Sequence, residues 1–525
     1  MAYLRGIMHC IGTGVVMSVM SYDAYKAAFL SWNSIVTEDP RRLRDPSKIV
    51  LAPDVIVALR VLQKYYKLFI LAHQPSITVE VSDSAQIAHF HEDVLQRLAH
   101  YGVQVEQVIS YVKNSLHPFI EVAEERRLDL PGSLCISDRS QDIKLAGQVG
   151  ARGIYVMSRN STQTCPDLPP DSLIVVDIWD AVLHAMEMHL IQHRQPALSD
   201  IERAAEILRE GGIVAFPTET VYGLGANALD PMAVARVFEI KRRPRFDPLI
   251  VHVADPRQVN TLVSQLPGQA QKLINLFWPG PLTIVLPKSD RVPDIVTAGL
   301  STVAIRMPDH PVALTLIRRS GVPIAAPSAN LFGHVSPTMA EHVYHQLGDA
   351  VDLVLNGGRC PIGIESTVIS VSDDEAVLLR LGGLPVEELE RVIGPVQRHI
   401  RTQASPKSPG QLPHHYAPRT PLVLRDRNAP ELTRRCGLLS FTEPTSAEGF
   451  VAVEVLSKSG DLREAAANLF VALHRLDSMQ LELIVAELVP EVGLGQAIND
   501  RLRRAAHKGG IGSTGSREVS DESRA

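Results

Sequence analysis

The 525-residue chain exceeds what one hydrophobic core sustains, about 250 to 300 residues, so more than one domain is expected. An apolar fraction of 45%, a charged fraction of 21% and a formal charge of −6 exclude a disordered chain and any global attraction to nucleic acid or membrane. Five cysteines (Cys10, Cys135, Cys165, Cys360, Cys436) stand without CxxC or Cys/His spacing, which excludes a zinc finger and a disulfide framework and points to the reducing cytoplasm.

Residues 7–20 are apolar but interrupted by His9, Gly12, Thr13, Gly14 and Ser18, and fall short of the roughly 20 residues a membrane span requires. They read as a buried strand and turn. Short apolar runs at 67–72, 105–112, 133–136 and 153–156 then alternate with helical patterns at 54–65 and 118–126, the signature of a parallel α/β layer. Residues 161–170 read as a loop, and 180–192 as a helix with Val182, Leu183, Met186 and Leu190 on one face. Pro196 marks a linker.

A second unit opens at Ser199-Asp200, a helix N-cap, with Ile201, Ala204, Ala205 and Leu208 striping the helix before Gly211-Gly212 stops it. There follow a buried strand to Phe216, a turn at Pro217, a Thr-Glu-Thr, glycines at 223 and 225, and a helix carrying Val234, Val237 and Phe238. Beyond it lies a basic corner, Lys241-Arg242-Arg243-Pro244-Arg245, and then an alternating strand holding His252. Hydroxyls, glycines and clustered cations suit a phosphate-bearing ligand. Taken alone, a basic helix end is better explained by the macrodipole, and a histidine in an apolar strand by ordinary core packing. Strand-like runs at 282–286, 303–307, 324–326, 353–355, 367–371 and 377–381 complete a mixed α/β unit ending near Gly394-Pro395.

Residues 397–421, rich in Pro, Ser, His and Gln, form a linker that contains His414-His415-Tyr416-Ala417-Pro418. A third, small α/β unit follows, with strands at 436–441, 450–456 and 483–488 and helices at 461–476 and 494–507. The tail from 509 has the composition of a disordered segment. Neither a Walker GxxxxGK[ST] nor a fixed-period repeat is present.

Eight segments in one order, PTETVYGLG (217–225), KRRP (241–244), PLIVHV (248–253), WPGPLT (278–283), VAIRMPDHP (303–311), PIAAPSANLFGHVSPT (323–338), ESTVI (365–369) and LLRLGG (378–383), resemble the YrdC-type domain of threonylcarbamoyl-AMP synthases. With SPG…HYAP (408–418) and the trailing unit, the resemblance covers about 198–508 and has the layout of the two-domain form. It implies condensation of L-threonine, bicarbonate or CO2, and ATP to L-threonylcarbamoyl-AMP and pyrophosphate. The product serves formation of N6-threonylcarbamoyladenosine at position 37 of tRNA by a partner threonylcarbamoyl transferase machinery.

By position, the resemblance implies that Thr220, His252, Arg306, Ala326 and Ser366 hold threonine. Lys241, Arg243, Asp247, Thr302, Ser328, Ser336, Arg380 and Tyr416 would meet ATP, with Lys241 and Arg243 acting catalytically on the triphosphate. Asn330 would hold its own loop and Pro327 narrow the wall beside threonine. Asp247 departs from the pattern, which has Asn there. Mg²⁺ would arrive with ATP, with no protein metal site, and Tyr416 would reach the nucleotide from a linker that crosses the site.

The first unit resembles haloacid-dehalogenase-type phosphatases of the histidinol-phosphate and heptose-bisphosphate kind. Their opening Asp-x-Asp-Gly-Thr is matched to His9-Cys10-Ile11-Gly12-Thr13, without either carboxylate. The second motif falls on Ala72-His73-Gln74, the lysine on Lys113, and the last motif on residues 137–142 with Asp138 and Asp142 present. Lacking the nucleophile, this unit is expected to be a catalytically dead scaffold.

The expected architecture is therefore α/β throughout: a Rossmann-like, haloacid-dehalogenase-like domain at 1–193, a YrdC-type twisted mixed sheet with helices at 198–396, the linker at 397–421 and a small α/β domain at 422–508. Two rivals differ in class. One is an RNA-binding module with a weak tRNA contact, disfavoured by 5% aromatics. The other is a carbamoyl-adenylating carbamoyltransferase, disfavoured by the missing CxxC pairs.

Overall fold

A computed structural model of the protein describes residues 25–35, 51, 53–73, 84–111, 116–157, 167–193, 196–373, 375–398, 416–425 and 435–506. Its contacts separate two units. One comprises the chain up to Asp177 without Leu51–Leu62 and Arg97–Val103; the other comprises those two segments and everything from Ile178.

In the first unit, β1 (Ala27–Ser31), β2 (Lys67–His73), β3 (Val105–Tyr111), β4 (Leu134–Ser137), β5 (Arg152–Val156) and β6 (Leu173–Val175) form one sheet in the order 3-2-1-4-5-6. Every pairing is parallel, which makes the unit Rossmann-like. The central strand β1, AAFLS, is buried at all five positions, as a parallel strand covered on both faces must be. The strand expected at 7–20 lies outside the described residues, as do His9–Thr13, Gln74 and Lys113. The strand order reverses between β1 and β4, and there Ser31 Oγ, on the last residue of β1, donates to Asp138 Oδ1, just past β4, at 3.0 Å. Asp142 is buried, accepting from Ser137 Oγ at 2.7 Å and from the Tyr111 hydroxyl.

The boundary expected at 193 moves back to 177, because the Ile178–His193 helix packs with the second unit. Trp179, Ala181, Val182, Ala185 and Met186 are all buried, a wider apolar face than the stripe read from the sequence. Trp179 Nε1 donates to Ala254 O at 2.8 Å, while Arg318 and Arg319 reach Glu187 at 3.1 and 2.7 Å.

The second unit carries ten strands in a mixed sheet: β7 (Val214–Phe216), β8 (Gly223–Asn227), β9 (Ile250–His252), β10 (Leu282–Pro287), β11 (Thr302–Arg306), β12 (Ile324–Ala325), β13 (Leu353–Val354), β14 (Thr367–Val371), β15 (Ala376–Arg380) and β16 (Gln397–Arg398). Their order is 13-7-8-12-9-11-10-14-15-16. Four further strands, β17 (Leu422–Leu424), β18 (Cys436–Ser440), β19 (Phe450–Val455) and β20 (Leu483–Ala486), form a parallel sheet ordered 17-20-18-19.

This small sheet and its two helices, Leu462–Ser478 and Leu494–Ala506, are not an independent body. Leu439, Leu469, Phe470, Ile484 and Ile498 share one continuous core with Val221, Val335, Ile364 and Tyr416. No helix among the described residues is long and apolar enough to cross a membrane.

Candidate active site

One register row of the ten-stranded sheet organises the site. Ile324 of β12 pairs with His252 of β9, His252 with Arg306 of β11, Arg306 with Thr283 of β10, Thr283 with Val368 of β14, and Val368 with Arg380 of β15. Cross-strand partners project to the same face, so His252, Arg306 and Thr283 stand side by side although up to 54 positions separate them in sequence. Two residues back along the strands, Ile250, Ala304 and Val285 form an apolar floor with Val368 and Leu379. The polar row therefore sits at the edge of a dry cluster, where charge interactions are weakly screened.

Above the row lies a cavity lined by Thr218, Thr220, Val221, Gly223, Arg243, Ile250, His252, Arg306, Ala326, Pro327, Ser328, Glu365, Ser366, Arg380 and Tyr416. Arg306, 3% exposed, is fixed by three neighbours: Nη1 donates to Thr220 Oγ1 at 2.8 Å, Nε to Gly280 O at 3.2 Å, and Nη2 lies 2.6 Å from Glu219 Oε1. The Glu219 contact is an ion pair without an aligned hydrogen bond, so the Nη2 hydrogens retain donor capacity. His252 is buried, with Nδ1 unpartnered, and burial together with the charge of Arg306 pushes its pKa down to about 3. The imidazole is neutral at any ordinary pH.

Glycine brings two backbones close enough to shape this end. A Cβ on Gly225 would lie 2.8 Å from both Ile324 and Phe216, and one on Gly382 would lie 2.3 to 2.4 Å from the backbone of Glu365 and Ser366. Gly382 thus lets the loop after β15 press against the Glu365–Ser366 turn. There Ser366 Oγ shares a hydrogen bond with Thr283 Oγ1 at 2.7 Å, and Arg380 donates to Ser366 O and Oγ at 2.8 to 3.0 Å.

The basic corner is built from a helix end. The Pro231–Lys241 helix starts at an Asp230 cap, which accepts from the backbone of Met232 and Ala233, and stops at Arg242 in the left-handed region, φ 52°. That reversal leaves Arg242 exposed and turns Lys241 and Arg243 inward. Arg243 donates to Asp247 O and Pro248 O at 3.1 and 2.9 Å and pairs with the Asp247 carboxylate at 2.8 Å. Lys241 Nζ donates to Ser328 O at 2.5 Å and also to Asn330 O. Burial, with Arg243 nearby, holds its pKa well below the usual lysine value.

The far wall comes from the linker and the small domain. Tyr416, 1% exposed and at φ 68°, stacks on Phe470 with centroids 5.8 Å apart. Ser336 Oγ donates to Glu365 Oε1 at 2.5 Å, and Arg501 of the last helix donates twice to Glu365 Oε2 at 3.1 Å.

Of the residues read from the sequence, the cavity gathers all five assigned to threonine (Thr220, His252, Arg306, Ala326, Ser366) and four assigned to ATP: Arg243, Ser328, Arg380 and Tyr416. Four others stand elsewhere. Lys241 lies behind the wall as a post for the Ser328–Asn330 loop. Asp247 is the buried counter-ion of Arg243, a task the amide of Asn would not perform. Ser336 supports Glu365. Thr302 begins β11, four residues or about 13 Å from Arg306 and beyond the apolar floor.

Reading the sequence alone missed Thr218, Glu219, Thr283, Glu365 and Arg501. The first two lie in the same Thr-Glu-Thr as Thr220. Arg501 does carry a signal: it occupies the buried stripe of its helix, between Ala497 and Ile498 on one side and Leu502 and Ala505 on the other, where a charge requires a partner.

Comparison with known proteins bears on this geometry. The family model described as "Telomere recombination" matches residues 206–382, and that described as "Threonylcarbamoyl-AMP synthase, C-terminal domain" matches 384–507. A Bacillus subtilis protein named threonylcarbamoyl-AMP synthase is 47% identical over 322 residues, covering 58% of this chain and 92% of that protein. One of the same name from Schizosaccharomyces pombe is 37% identical over 361 residues, covering 59% and 88%. The crystal structure of Pyrococcus abyssi Sua5 complexed with L-threonine superposes with a TM-score of 0.55 at 45% identity, covering 58% of this chain and 94% of that one.

Proposed function

Because the chain belongs to the threonylcarbamoyl-AMP synthase family, we infer that it condenses L-threonine, bicarbonate and ATP to L-threonylcarbamoyl-AMP, releasing pyrophosphate. The observation that carries this reading is one cavity in which Arg306, with donor capacity to spare, faces two other buried guanidiniums, Arg243 and Arg380. A carboxylate and a phosphate chain are the groups such an arrangement attracts.

In this reading Arg306 clamps the threonine carboxylate and Thr220 accepts or donates beside it. The neutral amine attacks the carbon of CO2, losing a proton, or the carbon of bicarbonate, losing water, and either route gives the carbamate. A carbamate oxygen then attacks the α-phosphorus, and the bond from that phosphorus to the bridging oxygen breaks as pyrophosphate leaves. Arg243 and Arg380 offset the charge that builds on the phosphates. His252, with a pKa near 3, is a poor base and serves as a neutral hydrogen-bonding wall. The apolar floor and Tyr416 keep water from a carbamate that would otherwise decompose.

Mg²⁺ would enter this scheme on the triphosphate, whose oxygens suit a hard cation that keeps several of its waters. We extend the proposal to the product's use in forming N6-threonylcarbamoyladenosine at position 37 of tRNA, through a partner transferase, in the cytoplasm. The exposed Arg242 and Arg245 offer at most a weak tRNA contact. The N-terminal unit fits an inactive phosphatase-like scaffold: its central strand ends at Ser31, bonded to Asp138 and without a carboxylate, and not in the His9–Thr13 stretch to which the sequence matched the nucleophile motif.

The test is pyrophosphate release by the purified full chain with ATP, bicarbonate and each amino acid in turn. Release with threonine well above that with serine or valine supports the reading; release that ignores the amino acid overturns it.

A further inference from the structure

Arg501 lies outside the family motifs read from the sequence, on the last helix of the small domain, yet it ends among the groups that line the cavity. Only 1% of it is exposed. Its Nε and Nη2 both donate to Glu365 Oε2 at 3.1 Å, and Nη1 donates to Leu381 O at 2.6 Å and lies 3.3 Å from Asp500 Oδ2. Glu365 lines the cavity and spends its other oxygen on Ser336. The guanidinium carbon lies 5.2 Å from the centroid of the Tyr416 ring, whose neighbour in a stacked arrangement is Phe470 at 5.8 Å and 27°. Ala417 N–H donates to Gly333 O at 2.9 Å.

We propose that Arg501 is a positioning residue through which the C-terminal domain sets the active-site wall, by fixing the Glu365 carboxylate and the Tyr416 ring together. The inference rests on the synthase reading of the cavity and deepens it. Tyr416 stands in the left-handed region, φ 68°, a conformation unfavourable for a bulky side chain, and it persists because the surroundings hold it. Phe470 and Arg501 are two of those holds, and both belong to the small domain. Glu365 is likewise balanced: without Arg501 a buried carboxylate would face Arg380 and Ser336 alone, and it would turn toward the strongest remaining cation. That would draw Arg380 from the phosphates. The small domain therefore acts on the nucleotide end of the cavity without presenting a group to substrate.

A lysine at this position keeps the charge opposite Glu365 but cannot donate twice to Oε2 while also holding Leu381 O and standing over the Tyr416 ring. The experiment is steady-state kinetics of the full-length Arg501→Lys and Arg501→Met proteins, with pyrophosphate and carbamoyl-adenylate measured in the same samples and thermal melting recorded for each. The expected result for Arg501→Lys is a cooperative melt, a KM for ATP raised by about tenfold or more, a threonine KM changed by less than about threefold, and more pyrophosphate released than adenylate recovered. Arg501→Met should show the same pattern more strongly; should it fail to fold, the lysine variant decides alone.

A wild-type ATP KM with one-to-one stoichiometry in Arg501→Lys overturns the proposal. So does a fall in kcat alone that matches the fraction of protein unfolded. Failure of the synthase reading would show separately, as absence of threonine-dependent pyrophosphate release in the wild-type protein.

Discussion

Replacing Arg306 by lysine tests the threonine end of the cavity most sharply. Alanine is the wrong choice, because it would leave Glu219, 3% exposed, as an unpaired buried carboxylate. That costs about 3–5 kcal/mol, a large part of a typical stability of roughly 5–15 kcal/mol. Lysine keeps a cation opposite Glu219 but has one nitrogen for the positions that Nη1, Nη2 and Nε now occupy against Thr220, Glu219 and Gly280. A bidentate hold on a carboxylate is then impossible. Losing one charge-assisted hydrogen bond, at about 1.5–3 kcal/mol, lowers kcat/KM for threonine by at least ~10-fold, and losing two lowers it by ~10²-fold or more. Initial rates of pyrophosphate release against threonine concentration, at saturating ATP and bicarbonate, measure this, with a melting curve to show the protein is folded. A folded Arg306→Lys protein with a threonine kcat/KM within about threefold of wild type would refute the clamp.

Lys241→Ala removes the donor that holds the Ser328 and Asn330 carbonyls, and kcat/KM for ATP is expected to fall by about tenfold or more; an unchanged value would mean the loop is held without it. His342 and His474, stacked 3.8 Å apart, have pKa values lowered by burial to about 3 and about 4, against about 6.5 when unfolded. The unfolded chain therefore takes up more protons below pH ~6.5, so stability is full above that pH and declines as the pH falls toward ~4, by about 1.4 kcal/mol per unit for each ring. His474→Asn should flatten the decline in melting temperature between pH 6.5 and 5; an unaltered slope contradicts the assignment. The full chain, offered a phosphate monoester with Mg²⁺, should show no turnover that Asp138→Ala abolishes, and finding such turnover would end the reading of the N-terminal unit as inactive.

What the sequence discloses follows from how local each feature is. The helix from Pro231 announces itself through Asp230, and the β9, β10 and β11 segments through apolar runs of strand length. The likeness of eight motifs gathers most of the cavity because each motif is a short, contiguous loop or strand end. What stays hidden is pairing. Nothing in Arg243 or Asp247 alone says that they neutralise one another, and the helical spacing of Lys241 does not say that its ammonium is spent on two carbonyls. The central strand β1 escapes notice because AAFLS is short and flanked by no turn signal, whereas the more apolar run at 7–20 invites a strand. The Ile178–His193 helix is legible as a helix, but which unit it packs on depends on Arg318 and Arg319, more than 120 residues later.

The central claim is that one cavity joins threonine, bicarbonate carbon and the adenylate of ATP. Supplying the purified chain with ¹³C-bicarbonate, threonine and ATP, and weighing the adenylate formed, tests it directly. The account predicts one species that carries threonine, one ¹³C and AMP, formed with one pyrophosphate each; a labelled adenylate without threonine, or pyrophosphate release without label uptake, would contradict it.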